Sequence, residues 1–466
     1  MTVRLPPLAL CMMMACTEGA ITETDDPSTT DAPTIAPASS SSGATPAPGT
    51  TSTAADGSST DAASSSSSTT NSETTDGTTT ETGTQTGSDT ETDTETTGGM
   101  AECEPTNPAG VPLCGDGTVV AGEVCYQLTP PLQSAGTFTR RVWAGDLDGD
   151  DDPDALVLVT WPAAMSVLLN DGLGTLVFDD SYDLVAGANI GPTHVDVEDM
   201  NGDGWVDAVV AFTAPPSLLV LTNDGGGAFG VPIELPLPQE PFAVAIADLD
   251  DDGWNDAVVS DIAGLTVHYG LGNGSFGGSA SFSDPALVDA RALAVHDFDG
   301  DGDPDVAATY NHALGVFLND GGTLLPPLIL DVVGGAQSPK DLTVGDVSGD
   351  GIADLVAVMG GPQVLVGVGD GTFGPPFVRG GGGYAVLGDA NADCVLDIFA
   401  RTAPLMLDEL TIYPADGMGG VDPPHSFLLH SGMADMAGAD FNGDTLTDIL
   451  FAIGPSGNVG ISLSQP

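Results

Sequence analysis

The chain has 466 residues, of which 67 are Asp or Glu and only seven are Lys or Arg, giving a formal charge of -60. With no basic patch it lacks the means to displace counterions from nucleic acid, and nothing draws it to an anionic membrane surface. The hydrophobic fraction of 41% is that of a globular protein, and no apolar run reaches the roughly 18 residues of a membrane span.

The first 16 residues, MTVRLPPLALCMMMAC, hold one positive charge, an apolar stretch from Leu5 to Ala15 and a small residue before Cys16. That is the layout of a secretory leader. Met13-Met14-Ala15-Cys16 further resembles a bacterial lipobox, with Met in place of the usual Leu. The resemblance implies acylation of Cys16 and an exported lipoprotein at the outer membrane or cell surface, with plain secretion to the extracellular space as the alternative. Residues 17–100 contain no aromatic side chain, Lys, Arg or Cys. Such a segment cannot bury enough apolar area to offset its chain entropy, so it reads as a disordered Ser/Thr/Asp-rich linker with a reach of roughly 50 Å.

Residues 101–130 contain Cys103, Cys114 and Cys125, which with Cys394 make four cysteines beyond the leader. In an oxidising compartment three pairings are open, and structural bridges are expected rather than redox chemistry. The stretch CGDGTVVAGEVC (114–125) resembles a cysteine-rich element of bacterial surface proteins.

Residues 131–466 are a repeat. An acidic nine-residue loop recurs as DLDGDDDPD, DMNGDGWVD, DLDDDGWND, DFDGDGDPD, DVSGDGIAD, DANADCVLD and DFNGDTLTD, with starts 53, 49, 49, 49, 43 and 51 residues apart. Within each unit a short apolar segment such as AVAIA (243–247) enters the loop and another such as AVVS (257–260) leaves it. A third, such as LTVHYG (265–270), runs into an Asn-Gly or Asp-Gly turn, and a fourth, such as VPIELPL (231–237), leads to the next unit. Four strands per unit at a period near 50 predict an all-β, seven-bladed β-propeller with four-stranded blades. After the last loop only ILFAI and VGISL follow, so the seventh blade lacks its outer strand. The segment Glu123–Thr129, EVCYQLT, is expected to supply it, removing an exposed edge.

In every loop the first, fifth and ninth positions are Asp, and the third is a short oxygen donor. The candidate metal ligands are Asp146, Asp148, Asp150 and Asp154; Asp199, Asn201, Asp203 and Asp207; Asp248, Asp250, Asp252 and Asp256; and Asp297, Asp299, Asp301 and Asp305. The later loops add Asp346, Ser348, Asp350 and Asp354; Asp389, Asn391, Asp393 and Asp397; and Asp440, Asn442, Asp444 and Asp448. Position seven varies, as suits a backbone carbonyl ligand. Hard oxygen donors around glycine bends select Ca2+, at up to seven sites. An EF-hand is excluded because position twelve is Val, Ala or Phe throughout, where a bidentate Glu is required. A site with a dissociation constant of about 0.1 mM, facing roughly 1–2 mM calcium, would add about 1.5 kcal/mol, a mainly structural role.

These loops, together with turn segments such as VGVGDGTFGPPF (366–377), make residues 115–466 resemble the FG-GAP or VCBS repeat family, which includes the seven-bladed propellers of integrin α subunits. The resemblance implies calcium in the loops joining the first and second strands of each blade, on the face opposite the usual ligand-binding face. Two loops depart from the pattern, with Ala392, Cys394 and Thr445 where glycine is usual.

On the opposite face the loops after the second strands carry Trp161, Phe212, Tyr310, His312 and Arg401, candidates for sugar stacking or protein recognition. No H-E-x-x-H or G-x-S-x-G motif is present, and the histidines do not cluster in sequence. The expected function is therefore non-catalytic: a monomeric, calcium-stabilised adhesion or capture module for a surface protein or polysaccharide. It would be held on a flexible stalk and would touch the membrane only through its lipid. A lectin or polysaccharide-active enzyme on the same scaffold is the alternative.

Overall fold

The computed structural model describes residues 124–464 except 125, 129–131, 186–190, 284–288, 311–312, 333–340, 359, 379–381, 403–407, 419 and 430. Cys16, Cys103, Cys114, Cys125 and His312 lie outside the described residues. All regular structure among the described residues is β-strand, arranged as seven antiparallel blades. The first strands of the blades are Thr137–Gly145, Pro192–Glu198, Ala243–Ala247, Leu293–His296, Asp341–Gly345, Ala385–Gly388 and Met433–Ala439. Each packs on the next, and the last packs on the first, closing a ring.

The amphipathic pattern explains the layering. Second and third strands such as Asp154–Trp161 and Ala164–Asn170 are nearly continuous apolar runs, buried on both faces. Outer strands such as Leu176–Asp183 are exposed along most of their length. Among the described residues the buried apolar side chains form seven clusters, one at each blade–blade interface, and no single central core. Polar links join the first strands instead. Asp435 accepts from the Val142 amide at 3.0 Å, Asp196 from Ile246 at 2.8 Å and Asp341 from Ala385 at 3.1 Å, each bond crossing to the next blade.

The seventh blade contains Met433–Ala439, Asp448–Ile453 and Asn458–Ser464, and its outer edge comes from upstream of the first blade. Tyr126–Leu128 pairs antiparallel with the end of Asn458–Ser464, matching Tyr126 to Ser464 and Leu128 to Ser462. Gln133–Ser134 continues along the same strand, Gln133 opposite Val459. This is the closing strand expected from EVCYQLT. Tyr126 fastens it: its ring lies 5.7 Å from those of Phe399 and Phe427, and its hydroxyl donates to the Thr447 carbonyl at 2.6 Å. Tyr126→Ala is expected to lower stability by about 3 kcal/mol in urea melts, and Tyr126→Phe by about 1 kcal/mol. A loss well under 1 kcal/mol for the alanine variant would show that closure contributes little.

Candidate metal centres

The seven acidic loops share one backbone. Positions four and six have positive φ in all of them, from Gly149 at 80° and Gly204 at 89° to Ala392 at 62° and Thr445 at 73°. Glycine is the unstrained choice there, and Ala392, Cys394 and Thr445 adopt the same conformation at a cost. The first Asp holds the bend, one carboxylate oxygen accepting the amide of position six at 2.7–3.1 Å in every loop. The fifth Asp accepts the amide of position seven in every loop, at 2.9–3.0 Å.

The ninth Asp is buried in all seven blades. One of its oxygens accepts the amide of position two at 2.9–3.1 Å. The other accepts the amide at the end of the third strand at 2.6–2.8 Å. Burial raises these carboxyls against the opposing pull of their hydrogen bonds. Asp154, Asp207, Asp256 and Asp305 are pushed up to about 6, Asp397 to about 7 and Asp448 to about 8.

The three invariant positions are thus explained by loop structure alone, and the third position is what tests for a cation. In the first, third and fourth loops it is Asp, and three carboxylates converge with ligand oxygens within 4.8 Å of one another: Asp146, Asp148 and Asp154; Asp248, Asp250 and Asp256; Asp297, Asp299 and Asp305. Asp148 Oδ1 and Asp250 Oδ1 are buried without a hydrogen-bond partner among the described residues. Desolvation, then the neighbouring carboxylates of positions five and one, raise Asp148, Asp250 and Asp299. Unpartnered oxygens in an all-oxygen, mutually repelling set fit a hard divalent cation, which would supply charge neutralisation and a cross-link. The seventh loop fits less well. Asp444 is buried against the Ser464 hydroxyl at 3.1–3.2 Å, and the Asn442 amide nitrogen donates to it.

Four overlapping matches to the FG-GAP-like repeat family cover residues 146–210, 199–259, 248–308 and 297–357. The chain carries FG-GAP-like repeats. These matches stop short of the sixth and seventh loops, which nevertheless close with the same hydrogen bonds as the matched FG-GAP-like loops. No curated protein matches the chain. Among solved structures it is similar to an Agrocybe aegerita lectin that recognises non-reducing terminal N-acetylglucosamine. That match has 20% identity and a TM-score of 0.47, and covers 68% of this chain and 86% of the lectin. It is also similar to BBS1N in complex with ARL6DN, at 11% identity and a TM-score of 0.51, covering 73% of this chain and 97% of that one. At these identities the likeness concerns the fold.

The position-seven side chains of the FG-GAP-like loops do more than leave room for a carbonyl. Trp205 lies over Gly149 of the preceding loop and over Gly225 of its own blade, where a Cβ would come within 2.6 and 2.3 Å of the indole. Trp254 repeats this over Gly202 and Gly272. Three asparagines that sequence reasoning missed tie loops to neighbours: Asn170 donates to the Phe441 carbonyl, Asn223 to Leu147 and Asn319 to Leu249, at 2.8–2.9 Å. The signal was an Asn-Asp-Gly triplet repeated at 170–172, 223–225 and 319–321.

Two residues expected on the opposite face are not there. Phe212 is fully buried between the first and second blades, and Tyr310 is buried between the third and fourth, because aromatic rings at strand ends fill the blade interfaces. Trp161 is exposed, and Arg401 is ion-paired with Asp408 at 2.8 Å. Cys394 is disulfide-bonded, in line with a structural role. Of the histidines, His194 is held neutral by burial, pushed down to about 3, and His425 opens an outer strand.

Substitutions at positions three and nine should separate cation binding from loop structure. Asp250→Asn is expected to lower the melting temperature in millimolar calcium and leave it unchanged or higher in chelator. Asp256→Asn, which offers only one acceptor oxygen to two amides, should lose about 1–3 kcal/mol in both. Equal losses for Asp250→Asn in the two conditions would count against a cation at that loop.

Acidity supplies a second check. A carboxyl whose native pKa exceeds the ordinary 3.8 binds its proton more tightly when folded, so it favours folding at low pH and that contribution is lost as pH rises through the native value. In chelator, at salt high enough to screen general repulsion, the melting temperature should fall between about pH 5 and pH 8. A flat or rising profile would contradict the raised ninth-position carboxyls.

Proposed function

We propose that this is an exported, lipid-anchored binding protein whose calcium-stabilised propeller captures a surface protein or polysaccharide without turning it over. Cys16 and residues 17–100 would serve as anchor and stalk. The observation that carries the reading is the chemical opposition between the two ends of the ring. One end is given over to the acidic loops, whose invariant carboxylates are engaged in holding backbone. The other end presents exposed Phe138 beside Arg140 and Arg401, and exposed Trp161 at the end of the first blade's second strand, in a chain with only seven basic residues. Aromatic and arginine side chains are the residues that dominate recognition surfaces.

Calcium, on this reading, is a fastener. The three carboxylate triads would each hold an ion that removes mutual repulsion and fixes a loop against its own blade. A lectin or polysaccharide-active enzyme is the alternative, and it is separated by turnover.

The test is retention of cell-surface extracts and glycan panels on the immobilised chain, with calcium and with chelator, alongside an assay for released oligosaccharide. Retention in calcium without release is expected. Release of oligosaccharide would replace the reading with an enzymatic one, and no retention by a folded chain would overturn it.

A further inference from the structure

At the end of the ring away from the acidic loops, blades one, six and seven line a shallow, open depression of about 510 Å3, formed by Phe138, Thr139, Arg140, Tyr384, Arg401 and Pro455, among others. The lining comes from the starts of first strands and the ends of second strands, which places it opposite the loops that join those strands.

Four features mark it as built for a ligand. Arg140 is the extra residue of a β-bulge, since Thr139 pairs with Val159 while Arg141 pairs with Leu158. A bulge re-aims side chains at sheet ends and next to functional sites. Phe138, just before it, has a φ of 60°, strained for an aromatic residue, and is 54% exposed. Of the four arginines among the described residues, Arg141, Arg291 and Arg401 hold Asp435, Asp289 and Asp408, and Arg140 alone has no carboxylate. Thr139, a lining residue only 4% exposed, keeps a buried hydroxyl with no hydrogen-bond partner among the described residues.

We propose that this pocket binds the carboxylate of a uronic-acid sugar within an acidic polysaccharide, Arg140 taking the carboxylate, Thr139 a sugar hydroxyl, and Phe138 and Tyr384 flanking the ring. This deepens the binding reading above and rests on it. A guanidinium matches a carboxylate bidentately. Aromatic faces and an unpartnered hydroxyl favour a sugar over an acidic peptide, whose side chains offer a carboxylate but little else for the rings to stack on.

The experiment measures binding of glucuronate- and galacturonate-bearing oligosaccharides to the whole chain, with neutral chito-oligosaccharides and poly-glutamate as comparisons. The acidic sugars should bind, the neutral ones should not, and added salt should weaken binding. Arg140→Gln, with an unchanged melting temperature, should weaken it about tenfold or more, and Arg140→Lys less. Thr139→Val provides an independent variant with the charge intact and should also weaken binding. No binding of either acidic sugar, or binding unaffected by Arg140→Gln, overturns the proposal. Arg140-dependent capture of poly-glutamate alone would transfer the site to acidic peptides and overturn the sugar assignment. If surface extracts are retained equally by Arg140→Gln, this site is wrong while the general binding reading stands. If a folded chain retains nothing, both fall.

Discussion

The structure depends on a carboxylate buried at the ninth position of each acidic loop and held by two backbone amides. One amide belongs to the loop, the other to the end of the third strand, so a single side chain fixes the loop to the sheet seven times over. The residue whose amide it takes also offers its carbonyl to the next blade in the first, third and seventh loops, where Asn223, Asn319 and Asn170 bind Leu147, Leu249 and Phe441. Contact within a blade and contact between blades therefore meet at one residue. Burying a charge for this purpose is costly, which is why these carboxyls are pushed up to about 6 or beyond. A cation beside the buried group would favour its ionised form and reverse that cost, so the loop is a place where metal binding and folding are the same event.

The ring has seven interfacial cores and no centre, which makes closure decisive. In a chain of repeats each unit is stabilised mainly by its neighbours, and an open array leaves two faces without partners. Here the seventh blade meets the first through Phe441, Leu450 and Val459 packing with Val142, Val157 and Leu168. The upstream strand then covers the edge of Asn458–Ser464, so the segments before the first blade and after the last loop hold one another. The carboxylate of Asp435 accepting from Val142, with Arg141 on its other oxygen, repeats the closure along the inner strands.

Much of this was legible in the sequence because the repeat is periodic and its turns are chemically constrained. Seven D-x-x-x-D-x-x-x-D frames with Asn-Gly or Asp-Gly turns give blade number and strand order, and the missing outer strand points to Tyr126–Leu128 by arithmetic. What stayed hidden was the division of labour inside the frame. Nothing in the letters distinguishes an Asp that accepts backbone amides from one that waits for a cation, and among the described carboxylates of the acidic loops only those of Asp148 and Asp250 turn out to have a buried oxygen with no partner. Phe212 and Tyr310 misled for a related reason: a strand-end aromatic can face solvent or the adjacent blade, and period-two alternation does not say which where both faces of a strand are buried. The split of Arg140 and Arg141 into one free arginine and one ion-paired arginine depends on a bulge that no local pattern announces.

The charge of -60 bears on how such a surface could work at all. At physiological ionic strength the Debye length is about 8 Å, so most of the acidic loops, lying at the far end of the ring, are screened from a ligand entering beside Arg140. Long-range repulsion would slow the approach of an anionic ligand more than it would weaken the bound state, which is decided by groups in contact. The nearer carboxylates matter more, and Asp435 and Asp408 are already engaged by Arg141 and Arg401. Those two arginines neutralise their surroundings and so leave the guanidinium of Arg140 as the local charge that a ligand meets. Desolvation and the neighbouring Arg141 lower its pKa, but an arginine stays protonated. On the binding proposed above, a negative group presented at close range would meet Arg140 on a scaffold that repels negative charge at a distance, which penalises an acidic polysaccharide with widely spaced carboxylates less than a densely charged polymer such as nucleic acid.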